Sequence, residues 1–79
     1  MENKRLATRH RLLKAATIEF DGGAISCMVR NMSNTGAGLD VTSPVGIPEH
    51  FMLVLTAEGL HMPCNFVWRK DKRIGVAFA

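Results

Sequence analysis

The chain contains no tyrosine, and only one tryptophan and four phenylalanines among its 79 residues. Domains that bind single-stranded nucleic acid usually display surface aromatics as stacking platforms. Here the few aromatics fall mostly on inward positions of strand patterns, Trp68 among them with Phe66 and Met62. Cysteine is also scarce. Cys27 and Cys64 are too few for a disulfide framework. Both lie inside apolar strand patterns, so they read as buried, inert thiols in a reducing compartment. Long apolar runs are missing, and Phe51–Leu55 falls well short of the roughly 20 residues a membrane helix needs. The N-terminus is charged and has no apolar signal-peptide stretch. These absences predict a cytoplasmic protein without membrane insertion. His10, His50 and His61 do not cluster with cysteines at ligand spacing. In His61-x-x-Cys64, strand alternation sends the two side chains to opposite faces. No metal or other cofactor is expected. No nucleophile–base–acid set is present either, so the chain is not read as an enzyme.

What remains is one small domain with a 47% hydrophobic fraction. A domain of this size buries roughly 60–65% of its unfolded surface. Net charge is +3 and unevenly spread. Residues 1–14 hold five cations against Glu2 alone and carry +4, which leaves −1 on the rest. Residues 1–10 show no usable periodicity and are read as a flexible basic arm, with residues 11–79 as the folded domain. The basic element at one place points to a specific anionic partner more than to a uniformly basic nucleic-acid surface.

Along residues 11–79 the pattern has a period of two. Ile18 and Phe20 alternate with Thr17 and Glu19 up to Asp21-Gly22-Gly23, a hairpin signal. A second strand runs from Ala24 to Asn31, with Ile25, Cys27 and Val29 on one face. Leu39 and Val41 mark a short third strand. After the Pro44–Pro48 loop, a fourth strand covers Phe51–Thr56 and a fifth Leu60–Arg69, where Val67 alone breaks the alternation. A sixth runs Arg73–Ala79. There Gly75 and Ala77 leave room for something to approach closely. The prediction is all-β: a six-stranded antiparallel barrel with little or no helix, since closure removes exposed edges.

Two constellations carry chemistry. Arg5-x-x-x-Arg9 offers two planar guanidinium forks suited to phosphates and guanine edges. Asn31-x-Ser33-x-x-Gly36 holds more polar side chains than a strand connection needs. Asn and Ser supply both donors and acceptors, and Gly36 is expected to turn the backbone through positive φ. The same residues also suit local bonds to their own backbone.

Taken together, the two motifs resemble the PilZ domain family, which binds the bacterial second messenger cyclic di-GMP. That family carries Arg-x-x-x-Arg near its N-terminus and Asp/Asn-x-Ser-x-x-Gly some tens of residues later. The closing Val67-Trp68-Arg69 and Ile74-Gly75-Val76-Ala77-Phe78 are similar too. The resemblance implies that Arg5 and Arg9 hold phosphates and guanine faces, that Asn31 and Ser33 bond a guanine edge or nearby phosphate, and that Gly36 shapes the loop. Lys4 is basic, as in relatives that take an intercalated ligand dimer. Two departures stand out: Thr8 replaces a frequent proline, and no helix follows the sixth strand, which leaves a barrel opening for a second copy or a partner helix. The implied function is a cyclic di-GMP receptor that relays its signal through an effector protein. A ligand-independent adaptor and, more remotely, a single-stranded nucleic-acid-binding barrel are the alternatives.

Overall fold

The computed structural model of the chain describes residues 10–43 and 45–79. The described residues form six strands and no helix. They are β1 (His10–Phe20), β2 (Gly23–Met32), β3 (Gly36–Val41), β4 (His50–Leu55), β5 (Leu60–Lys70) and β6 (Arg73–Phe78). All pairings are antiparallel and close in the order β1-β2-β3-β6-β5-β4. The barrel predicted from alternation is the barrel formed. The basic arm, with Lys4, Arg5 and Arg9, lies outside the described residues.

Inward positions fill the barrel. Ile18, Val29, Leu39, Leu53 and Ile74 have no exposed surface, and burying each such side chain contributes about 1.5–3 kcal/mol. At the first hairpin, Asp21 (φ 43°) and Gly22 (φ 76°) are both left-handed. That is the geometry a two-residue turn needs to match the twist of the flanking strands. The barrel is not uniformly closed. β1 pairs with β4 only at Thr17, Ile18 and Glu19, whereas its pairing with β2 runs from His10 to Phe20. An ion pair from Lys14 to Glu58, in the β4–β5 turn, spans the same side beyond that short seam.

Three bulges change which residues face out. Leu12 and Leu13 of β1 together oppose Arg30. Arg30 itself is an extra residue against β3, and Val67 is an extra residue against β6. Because side chains alternate with period two, each extra residue reverses the facing of the strand positions after it. One sequence-based expectation fails for this reason. Trp68 is not an inward partner of Phe66. The bulge at Val67 turns it outward, where it is 47% exposed.

Candidate functional site

Asn31 belongs to β2 rather than to the connection after it. Val29 is fully buried and Met32 packs on the core. With Arg30 bulged between them, Asn31 faces outward and pairs with Gly38 of β3. Its side chain lies flat on that glycine, so a Cβ added to Gly38 would meet its Oδ1 and Nδ2 at 3.1 Å.

The row continues across the sheet. Gly38 pairs with Gly75 of β6, and Gly75 with Trp68 of β5. The outer surface therefore carries Asn31, two glycines and Trp68 side by side. Two strands in the middle present bare backbone, and the indole of Trp68 covers the far end over Gly75. At the near end, Asn31 pairs with Arg11 of β1, two residues beyond Arg9.

Ser33 sits in the three-residue connection and is buried. Its N–H donates to the Gly36 carbonyl at 2.9 Å. Its hydroxyl accepts from the Thr35 N–H at 3.2 Å and lies 3.1 Å from the Thr35 hydroxyl. The Thr35 carbonyl in turn accepts from the Phe78 N–H at 2.9 Å, which ties the connection to β6. Ser33 thus sets the shape of the turn, while Asn34 and Thr35 are exposed on it.

Gly36 departs from expectation. It is already the first residue of β3 and is not among the positive-φ residues. What it supplies is space. A Cβ there would lie 2.2 Å from the Val76 carbonyl oxygen, so β3 and β6 could not approach as they do.

Beyond the glycine row, Asp40 accepts from Arg30 at 3.2 Å and from Arg73 at 3.0 Å. An open hollow of about 620 Å³ lies beside it, lined by Asp40, Val41 and Arg73 together with Trp68, Lys70, Asp71 and Lys72 of the β5–β6 hairpin. The cation excess of this hairpin is legible in Arg69-Lys70-Asp71-Lys72-Arg73, but its convergence on Trp68 is not. The one sequence signal for an outward Trp68 is the break in alternation at Val67.

His61 is exposed and Cys64 is buried, on opposite faces as expected. Cys27 and Cys64 are free thiols in the core. Burial pushes both up to about 11, helped at Cys27 by the proximity of Cys64 and opposed at Cys64 by a hydrogen bond to the Leu53 backbone.

A family model described as PilZ domain matches residues 3–79. The chain belongs to the PilZ domain family. PilZ domains bind cyclic di-GMP and act as binding or adaptor modules rather than as catalysts. No curated protein matches the chain. The PilZ match spans both motifs, and the barrel places the second of them at one end of the outward Asn31–Trp68 row. Among the described residues no helix is long and apolar enough to cross a membrane.

Proposed function

We propose that this PilZ domain is a cyclic di-GMP receptor whose ligand lies along the outer row from Asn31 to Trp68. The observation that carries the reading is the bare-backbone shelf formed by Gly38 and Gly75 between an amide and an indole. A flat purine needs close approach to the sheet, a π-surface to stack on, and a donor–acceptor pair for its edge. The shelf, Trp68 and Asn31 supply these in that order. Arg5 and Arg9 supply bidentate guanidinium contacts to phosphate, and Lys4 adds positive charge beside them. Ser33 and Gly36 contribute by fixing the turn and the β3–β6 spacing from which Asn31 and Gly38 are presented. The signal then passes to an effector protein.

Titration calorimetry with cyclic di-GMP on the parent, Arg9→Ala and Asn31→Ala chains tests this. Saturable binding by the parent, weakened in both variants, is the expected result, and no saturable binding by the parent overturns it.

One observation favours a second reading. The Ser33 hydroxyl is buried and already bonded within its own turn, as a ligand-independent adaptor would allow. Such an adaptor captures the same effector with and without cyclic di-GMP, which a paired pull-down distinguishes.

A further inference from the structure

We infer that Asp40 is a built-in competitor for the anionic ligand, holding in the free protein two arginines that serve a phosphate in the complex. The inference rests on the reading of the outer row as the cyclic di-GMP site and adds a means of setting its affinity.

Asp40 lies on the same outward face of β3 as Gly38, two residues further on, and Arg73 stands in the same relation to Gly75 on β6. Two residues along a strand span about 6.7 Å, a distance that an arginine on its flexible stem covers. Arg30 immediately precedes Asn31 and is thrown outward by the β2 bulge. Both arginines therefore stand at strand positions beside the glycine shelf, and both guanidiniums are engaged by Asp40, at 3.2 and 3.0 Å.

A carboxylate between two guanidiniums occupies the position that a phosphate would take, because the same planar fork serves either anion. The arrangement is readily exchanged. The Asp40 side chain is 34% exposed and the arginine side chains 43% and 51%, and exposed pairs of this kind hold weakly. Lys70 and Lys72 line the adjoining hollow. A phosphate arriving there enters a local field that is positive apart from Asp40 and Asp71. Asp40 thus lowers affinity without blocking the shelf, since it keeps its guanidiniums engaged until a stronger acceptor displaces it.

The test is calorimetric titration of cyclic di-GMP into the full chain and three variants: Asp40→Asn, Asp40→Asn combined with Arg30→Gln and Arg73→Gln, and Glu49→Gln. Glu49 is exposed and lies outside the cluster, so its variant controls for net charge. The expected results are about tenfold tighter binding by Asp40→Asn, loss of that gain in the triple variant, and parental affinity for Glu49→Gln. Unchanged or weaker binding by Asp40→Asn, or an equal gain in Glu49→Gln, overturns the inference and leaves the receptor reading intact. A parent with no saturable binding overturns both. Should Asp40→Asn fail to fold by thermal melting, Asp40→Ser takes its place with the same expectations.

Discussion

The indole of Trp68 lies so close over the α-carbon of Gly75 that an added Cβ would sit 2.2 Å from its Nε1. The glycine is the seat of the tryptophan. Replacing Gly75 with alanine should therefore lift the indole off the sheet while leaving the inward Ile74 and Val76 in place. Trp68 is the chain's single tryptophan, so its emission reports on this site alone. Gly75→Ala is expected to shift that emission to the red with the far-ultraviolet circular dichroism preserved. An unchanged emission maximum would show that the indole is not seated there.

The same fluorophore gives a binding prediction. If a guanine stacks on Trp68, cyclic di-GMP quenches its emission in a saturable way. Trp68→Ala then costs about 1–3 kcal/mol, or roughly five- to more than a hundredfold in affinity. Calorimetry on the variant and fluorescence titration of the parent measure the two halves independently.

Gly36 makes a different demand from the one its motif implies. Its backbone is not left-handed, so the penalty for Gly36→Ala is steric and falls on the β3–β6 ladder through the Val76 carbonyl. The expected destabilisation is about 1–3 kcal/mol in urea denaturation. Gly22→Ala, which meets open space but has φ 76°, is strained at the hairpin instead. Its effect should be confined to the β1–β2 turn in amide chemical shifts, whereas that of Gly36→Ala spreads to β6.

Alkaline stability should fall because of the two core thiols. Their folded values near 11 lie above an ordinary thiol value near 9, so the folded state retains protons that the unfolded state releases. Stability is therefore unaffected by these groups below pH 9 and declines between pH 9 and 11, at most by about 3 kcal/mol per thiol. A Cys27→Ala/Cys64→Ala variant starts less stable from lost packing but should show a flatter profile across that window. Equal slopes for parent and variant would assign the decline to other groups.

The period-two pattern carried the fold: Ile18, Val29, Leu53 and Ile74 face inward where alternation puts them, and the Asp21-Gly22 turn sits where its residues demand. The strands extend a residue or so past the expected ends at His10 and Met32, because backbone pairing continues after the apolar signal stops. The site was only half legible. Asn31, Ser33 and Gly36 stood out by type and spacing, but nothing in the sequence marks Arg30 as a bulge, and at Val67 the only sign is a break in alternation that does not say which way Trp68 turns. A bulge is a property of two strands in register, and one strand read alone does not contain it. Those two extra residues turn Asn31 and Trp68 outward to flank Gly38 and Gly75. Without them the row would have no polar end and no aromatic end.

The seam between β1 and β4 gives the barrel a zip. Three residue pairs close it, at Thr17, Ile18 and Glu19, and the strand on one side of that seam begins at His10, the residue after Arg9. Any force that ligand capture places on the arginine segment meets the β1–β2 ladder first, at His10 and Met32, and reaches this seam, the shortest ladder among the described residues, through the length of β1. Amide hydrogen exchange at Met52–Val54 thus becomes a remote gauge of occupancy, read on a strand that the proposed ligand never touches.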